Sequence, residues 1–145
     1  MILQVGVKAF LRNKDGKYLL VKRNPNKYKS VKGDWDIVGG RINPGTSLMA
    51  NLKREILEET SLEIISEPVL IVAQDIIPNS EKHVVRLTYT CECIGEPILD
   101  LSENIDYKWL SINEMKSLKD LDVYVREIVC ARCDLLERLG GATSQ

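Results

Sequence analysis

Three glutamates on one face of a single helix, just after a glycine-rich turn, constrain this chain more than any other feature. Glu55, Glu58 and Glu59 lie in a segment whose apolar residues recur at helical spacing. At about 100° per residue, their side chains fall within one narrow face. Like charges three or four residues apart repel each other by ~0.2–0.5 kcal/mol per pair in an isolated helix. This face therefore requires either free solvation or a counter-cation.

The helix is predicted from Ser47 to Thr60, with Thr46 or Ser47 as its N-cap after the turn at Pro44 and Gly45. Four apolar residues recur in it at helical spacing, namely Leu48, Met49, Leu52 and Ile56.

A divalent metal is one explanation of the acidic face. Mg²⁺ prefers oxygen ligands, keeps several waters and is usually shared between a few carboxylates and substrate phosphates. The alternative is a solvated outer face in which Arg54 pairs with Glu58 one turn later. The helix alone favours solvation. The upstream turn, Gly39–Gly45, changes that balance because small residues let a phosphate and metals approach the helix closely.

The rest of the chain predicts strands on both sides of this helix. We expect a β-hairpin over residues 3–11 and 18–21, a loop over 23–33, and a short strand over 35–38 that is broken at Gly39 and Gly40. Further strands are predicted over 62–65, 69–77, 83–94 and 107–110. A terminal helix is predicted from Leu121 to Leu139, with a stop at Gly140 and Gly141 and a frayed tail beyond. This order indicates an α/β layered domain.

Size and charge exclude several classes of protein. A chain of 145 residues with 44% apolar and 28% charged residues predicts one globular domain spanning 1–145. The net charge of −1 gives no electrostatic case for nucleic-acid or membrane binding. The first residues lack the pattern of a signal peptide, and no apolar run approaches the ~20 residues of a membrane span. We therefore expect a cytoplasmic protein.

The four cysteines form two short motifs, C-x-C at Cys91 and Cys93 and C-x-x-C at Cys130 and Cys133. A zinc site is conceivable. However, strand spacing places the first pair on one face, and helical spacing stacks the second. The sequence favours buried free thiols in both pairs.

The motif around the acidic helix resembles the signature of the Nudix hydrolases, G-x5-E-x7-R-E-U-x-E-E-x-G-U, where U is aliphatic. Seven of its nine defined positions match with every spacing preserved, which is far more specific than a short glycine motif. The matching residues are Gly40, Arg54, Glu55, Ile56, Glu58, Glu59 and Leu62. The strands and helices on either side resemble the family's layout over nearly the whole chain.

The resemblance implies an α/β/α sandwich with a mixed central sheet. It also implies that Glu55, Glu58 and Glu59 would bind Mg²⁺, for which Mn²⁺ is a possible substitute. By the same resemblance Arg54 would orient the glutamates, and Gly40 would shape the metal-bearing loop. Glu55, Glu58 and Arg54 are then the expected catalytic residues.

Two positions depart from the signature. Thr46 replaces a glutamate, and we expect this change to weaken one metal site, because changes beside metal ligands commonly cost ~10–100-fold in affinity or activity. Ser61 replaces a glycine, and if that position requires a left-handed backbone, serine costs on the order of 1 kcal/mol.

The expected activity is Mg²⁺-dependent hydrolysis of a diphosphate linkage in a nucleoside triphosphate or another nucleoside diphosphate derivative. One alternative is a Nudix-like module that binds a nucleotide without cutting it, motivated by Thr46, Ser61 and Val38, which stands where a proline is expected. A structural α/β protein with an acidic helix is the third reading. Proteins of this type are commonly dimers, so a homodimer is possible.

Candidate substrate-binding residues flank the glycine turn. Gly39, Gly40 and Arg41 could contact phosphate, and Trp35 could stack on a base. Arg23 is a further phosphate candidate. We favour the alternative roles for these side chains. Arg23 and Arg41 would be solvated, and Trp35 and Trp109 would be packing residues of the sheet.

The signature does not identify the general base. Relatives use either a motif glutamate or one from a distant loop, here Glu103 as a candidate. An exposed loop acid is the favoured alternative for Glu103. The only histidine, His83, has no catalytic partner pattern.

Overall fold

A long pair of parallel strands, β1 and β7, lies at the centre of a mixed eight-stranded sheet. The computed structural model describes residues 1–28 and 33–137. All other strand pairs are antiparallel. The elements in chain order are β1 (Ile2–Arg12), β2 (Tyr18–Arg23), β3 (Trp35–Asp36), β4 (Val38–Arg41), α1 (Leu48–Thr60), β5 (Glu63–Ile64), β6 (Val69–Ile76), β7 (Lys82–Ile94), β8 (Asn104–Leu110), α2 (Ile112–Lys116) and α3 (Val123–Ala131).

Two apolar clusters cover the two faces of the sheet. Helix α1 packs Leu52 and Ile56 into one cluster, together with Val7 and Leu19 from the sheet. The other cluster contains residues of α2 and α3, such as Met115 and Val125, packed with Phe10. A sheet covered by helices on both faces is the α/β/α sandwich that the sequence predicts, and this prediction is confirmed.

The hairpin prediction holds at its turn, but the two strands then separate. The amide of Gly16 donates to the carbonyl of Asn13 at 3.0 Å, and Arg12 and Tyr18 are the pair that joins β1 to β2 among the described residues. Beyond this pair β1 continues beside β4 and β7, whereas β2 pairs with β3 and β8. Because of this divergence, β1 is paired with β4, the strand that precedes α1.

The predicted break at Gly39 and Gly40 is wrong, because both residues belong to β4. Gly40 pairs with Val7 and Gly39 with Lys8. Gly39 has φ of 147°, and a Cβ there would lie 2.0 Å from the carbonyl oxygen of Val7. Glycine is therefore needed for the close approach of two strands rather than to end one.

The C-terminal part of the chain differs from the predicted single helix. Helix α3 ends at Ala131, and residues 133–137 are helical again after an interruption at Arg132. Several predicted features lie outside the described residues, namely Leu139 at the end of the predicted helix, the stop at Gly140 and Gly141, the frayed tail and part of the 23–33 loop. Within residues 1–28 and 33–137, no helix is long and apolar enough to cross a membrane.

Helix α2 was not predicted from the sequence. It is only five residues long, and its N-cap is Ser111, whose hydroxyl accepts from the amide of Glu114 at 3.1 Å. The Glu114 carboxylate accepts in turn from the amide of Ser111, which completes a capping box.

The cysteine prediction is confirmed for one pair and wrong for the other. Cys91 and Cys93 are buried free thiols in the cluster beneath α1, and burial raises the pKa of Cys91 to about 12 and that of Cys93 to about 11. Cys130 is exposed and Cys133 is partly exposed. The interruption at Arg132 separates this second pair, so they do not continue one buried helical stripe.

Helix α1 ends in the left-handed conformation that the signature glycine would favour. Ser61 is its C-cap, with φ of 58° and ψ of 14°, and its amide donates to the carbonyl of Leu57 at 3.0 Å. We predict that Ser61→Gly raises the free energy of unfolding by about 0.5–1 kcal/mol, because it removes the Cβ strain. Thermal and urea unfolding would measure the change. Ser61→Ala, which keeps the Cβ, is the matched control, and equal stability of the two variants would contradict the strain argument.

Candidate active site

The N-terminus of α1 is fastened to the preceding loop by a buried asparagine. The hydroxyl of Ser47 caps the helix by accepting from the amide of Ala50 at 3.1 Å. The Asn51 amide group donates to the carbonyl oxygens of Thr46 at 3.0 Å and Ser47 at 2.7 Å, and its oxygen accepts from the amide of Asn43 at 2.9 Å. Asn51 thus fixes the loop after β4 relative to the helix, a role that helical periodicity did not reveal.

Arg54 organises the first of the three signature glutamates. Its guanidinium donates to the Asn51 side-chain oxygen at 2.7 Å and to Glu55 Oε1 at 2.9 Å. The pairing with Glu58 that the solvation alternative requires is longer, at 3.9 Å. Arg54 therefore holds Glu55 more firmly than Glu58, whose side chain is 62% exposed.

Glu59 points to the opposite side of the same helical face and is buried beneath β4. Its Oε2 accepts from the amide of Gly39 at 2.8 Å, and its Oε1 accepts from the Asn104 side chain at 3.3 Å. Burial raises the pKa of Glu59 to about 7, against the lowering effects of Lys8 and of the Gly39 amide. The hydrogen bonds present do not fully compensate for the desolvation of its charged form.

Gly40 lets strand β4 lie directly against the Glu55 carboxylate. A Cβ on Gly40 would lie 2.9 Å from Cδ and 2.9 Å from Oε2 of Glu55. Any larger residue would displace the carboxylate from the strand. The glycine of the signature therefore has a steric reason in this chain.

The carboxylates fit a hard divalent cation by their chemistry. Glu55, Glu58 and Glu59 present oxygen donors of graded exposure on one helix face, and Glu59 lacks enough compensating positive charge. In residues 1–28 and 33–137, no three His, Cys, Asp or Glu side chains are already gathered closely enough to enclose an ion. The arrangement is thus an open set of donors, and such a set suits Mg²⁺, which retains waters and binds substrate phosphates.

Glu59 also borders a pocket of about 700 Å³. This volume lies within the ~300–1,000 Å³ typical of small-molecule sites. The pocket is lined by the strands around β1, by the β6–β7 turn and by the start of α3. Its polar lining residues include Lys8, Arg23, Tyr28, Asp36, Arg41, Glu59, Arg86, Asn104, Asp122 and Tyr124, and apolar ones include Ile76, Ile77, Pro78 and Val84.

One wall of the pocket is a buried ion cluster centred on Asp36, which is 2% exposed. Asp36 Oδ2 accepts from Lys8 Nζ at 2.9 Å and from Arg23 Nη2 at 2.6 Å, and Oδ1 accepts from Arg86 Nη2 at 2.9 Å. Burial alone would raise the pKa of Asp36. The attraction of Arg86, Lys8 and Arg23 overrides it and holds that pKa far below the ordinary range.

Asp122 joins the same cluster from the N-terminus of α3. Its Oδ2 accepts from Arg23 Nη2 at 2.7 Å, and Arg86 Nη1 lies 3.5 Å from Oδ1. Oδ1 also accepts from the amides of Tyr124 and Val125, so Asp122 caps the helix. The cluster therefore ties α3 to the sheet at the edge of the pocket.

The structure distributes the candidate substrate residues unevenly. Gly39, Gly40 and Arg41 line the pocket, and Arg23 does so as part of the ion cluster rather than as a solvated arginine. Trp35 is 7% exposed and packs in the cluster around α3, away from the pocket lining, with Lys108 Nζ over its ring at 4.8 Å. Its position is that of a packing residue, and it does not favour stacking of Trp35 on a substrate base.

Sequence reasoning missed four members of this wall: Lys8, Asp36, Arg86 and Asp122. A signal was present for two of them, since Lys8 and Arg86 are charged residues with apolar neighbours on both sides in a strand. Charged groups in a buried strand need partners, and those partners come from distant parts of the chain.

A family model described as "NUDIX domain" matches residues 2–131 of this chain. A curated relative, nucleoside triphosphatase NudI from Salmonella paratyphi B, is 28% identical over 127 residues, which cover 81% of this chain and 89% of the relative. Nudix hydrolase 5 from Arabidopsis thaliana is 37% identical over 60 residues, but that match covers 41% of this chain and 20% of the plant protein.

Solved structures share the whole architecture. A MutT protein from Methanosarcina mazei Go1 superposes with a TM-score of 0.72 at 25% identity, covering 99% of this chain and 96% of that one. A MutT NUDIX hydrolase from Burkholderia pseudomallei superposes with a TM-score of 0.74 at 22% identity, covering 96% and 99%. At that identity the second likeness concerns the fold alone.

Proposed function

This chain belongs to the NUDIX family of hydrolases, and from this premise we propose that it hydrolyses a diphosphate linkage in a nucleoside triphosphate or another nucleoside diphosphate derivative, with Mg²⁺ as cofactor. One observation carries the proposal. The glutamate-bearing face of α1 opens, through Gly39 and Gly40, onto a pocket large enough for the nucleoside part of such a substrate. The relative from Salmonella, a nucleoside triphosphatase, supports the same substrate class.

In this proposal the residues of α1 have separate tasks. Glu55, Glu58 and Glu59 would hold Mg²⁺, and Arg54 would keep Glu55 oriented through its 2.9 Å hydrogen bond. Gly40 would let β4 lie against the Glu55 carboxylate without displacing it. When bound, Mg²⁺, or Mn²⁺ in its place, would neutralise diphosphate oxygens and lower the pKa of the attacking water.

The pocket would position the rest of the nucleotide. Its aromatic and aliphatic walls, with Tyr28, Tyr124 and Ile77 among them, suit a flat base, and Arg41 suits a phosphate oxygen. Holding both parts of the substrate fixes the scissile linkage near the carboxylates, which is the contribution of orientation to the rate.

Glu103 is poorly placed to act as the general base. Its carboxylate accepts from Lys27 Nζ and from the Tyr28 hydroxyl. Burial alone would raise the Glu103 pKa, but these two hydrogen bonds lower it below its ordinary value. A carboxylate so stabilised is a weak proton acceptor. We therefore propose that Glu103 positions Tyr28 at the pocket, and that a glutamate of α1 or the hydrated cofactor activates the water.

The test is release of phosphate or nucleotide from a panel of nucleoside triphosphates, ADP-ribose and dinucleoside polyphosphates, in Mg²⁺ or in EDTA. We expect turnover of at least one panel member in Mg²⁺ and none in EDTA. If a nucleotide raises the melting temperature but is never cut, the nucleotide-binding module is favoured instead. The specific reason to consider that module is the exposed Thr46, because the signature carboxylate is missing there.

A further inference from the structure

The pocket beside Glu59 has an unbalanced hydrogen-bonding capacity. Both oxygens of its buried Asp36 already accept from cationic side chains. Asp122 likewise accepts from Arg23 on one oxygen and from two backbone amides on the other. Both aspartates are therefore engaged with partners in the protein.

Hydrogen-bond donors, in contrast, remain available. An ammonium group has three N–H donors, and Lys8 uses two of them, toward Asp36 at 2.9 Å and the carbonyl of Ile37 at 3.1 Å. Arg86 is 4% exposed, and its buried Nε has no hydrogen-bond partner among the described residues. Arg41 forms no ion pair within residues 1–28 and 33–137, and its pKa is lowered by burial and by the nearby Arg86.

Charge adds to the same imbalance. The cluster contains the three cations Lys8, Arg23 and Arg86 against the two carboxylates Asp36 and Asp122. With Arg41 and Glu59, which also line the pocket, the lining has four cationic side chains against three carboxylates, an excess of positive charge. A ligand group with acceptor atoms would satisfy this wall, whereas a group with donor atoms would face other donors.

We propose that this pocket selects nucleotides whose base presents a carbonyl oxygen and rejects those that present an amino group at the same ring position, with Lys8 as the residue that reads the difference. The inference rests on the proposed function, since it places the base of a nucleotide substrate in this pocket. Lys8 is suited to the task because Asp36 and Ile37 fix its ammonium group while one N–H is left for the ligand.

Two pairs of substrates test this preference. UTP and CTP differ in a carbonyl against an amino group and in whether the neighbouring ring nitrogen carries a proton, and ITP and ATP differ in the same way on a purine. A hydrogen bond from a charged donor, lost and replaced by a donor–donor contact, corresponds to roughly ten- to hundredfold in kcat/KM. We expect UTP over CTP, and ITP over ATP, by that factor in the wild type with Mg²⁺.

Variants of Lys8 assign the preference to its side chain. Lys8→Met keeps the length but not the donor, so both substrate ratios should fall to within about threefold of one. Lys8→Arg keeps charge and donors and should keep the preference. Lys14→Met, in the exposed β1–β2 turn, is the matched control and should leave both ratios unchanged. If Lys8→Met does not fold, Lys8→Gln replaces it, because an amide can accept from an amino group and should relax the ratio.

The outcomes separate this inference from the proposed function. Hydrolysis of all four nucleotides at similar kcat/KM, a preference for CTP and ATP, or an unchanged ratio in Lys8→Met would each overturn the inference while the hydrolase stands. If neither these four nucleotides nor any other member of the panel is hydrolysed, the proposed function has failed. The same pairs are then compared by Kd, where a missing carbonyl preference overturns the inference as well.

Discussion

Replacing Glu58 with glutamine should lower kcat by on the order of 10²–10⁴-fold, because one carboxylate donor to Mg²⁺ is lost and several kcal/mol of transition-state stabilisation depend on that cation. The fold should not change. The Glu58 side chain is 62% exposed, and its contact with Arg54, at 3.9 Å, is a weak exposed ion pair. We expect the melting temperature to stay within about 2 °C of wild type.

The measurement is a Mg²⁺ titration of turnover, with thermal unfolding on the same samples. The control is Glu63→Gln, which neutralises an exposed glutamate just beyond the same helix and should retain full activity. An active Glu58→Gln enzyme with wild-type Mg²⁺ dependence would remove Glu58 from the proposed ligands. Glu59→Gln is less informative, because Glu59 also holds Gly39 and Asn104 and its loss would disturb the fold.

The sequence was most informative where chemistry and local structure coincide. Helix α1 was predicted within one residue of its observed bounds, since apolar periodicity, the Ser47 cap and the acidic face all report on adjacent positions. A left-handed backbone at Ser61 was considered as a condition, because the signature has a glycine there, and the structure shows that conformation.

The sequence was least informative where the partners are far apart in the chain. Asp36 binds Lys8, Arg23 and Arg86, and Arg86 is separated from it by 50 residues. Which charged residues meet depends on β1 lying beside both β4 and β7, and strand pairing of that kind has no local signal. The role of Gly39 was misread for the same reason, since its close contact is with Val7 on another strand.

Exposure of the second cysteine pair was also beyond local reasoning. Helical spacing places Cys130 and Cys133 on one face, but the helix is interrupted at Arg132 between them. A C-cap inside an apolar stripe is hard to foresee without a glycine or proline to mark it.

Asp36→Asn is the substitution expected to destabilise this protein most. Lys8 would lose its ion pair with Asp36, and Arg23 and Arg86 would keep only the carboxylate of Asp122. Breaking a buried ion network by removing one partner costs about 3–5 kcal/mol. For a domain of this size the melting temperature should fall by roughly 10–15 °C. Thermal and urea unfolding at neutral pH would measure the loss.

Acid titration tests whether the charge of Asp36, rather than its shape, provides this stability. Its pKa is held far below the ordinary carboxyl range by Arg86, Lys8 and Arg23, so its contribution is complete above that range and is lost only as the pH falls toward the lowered pKa. The difference in unfolding free energy between wild type and Asp36→Asn should therefore persist as the pH falls to the ordinary carboxyl range and become smaller in stronger acid. Asp34→Asn, an exposed neighbour, should show no such difference. A shift of less than about 2 °C in Asp36→Asn would mean that the cluster is held by packing and backbone contacts rather than by its charges.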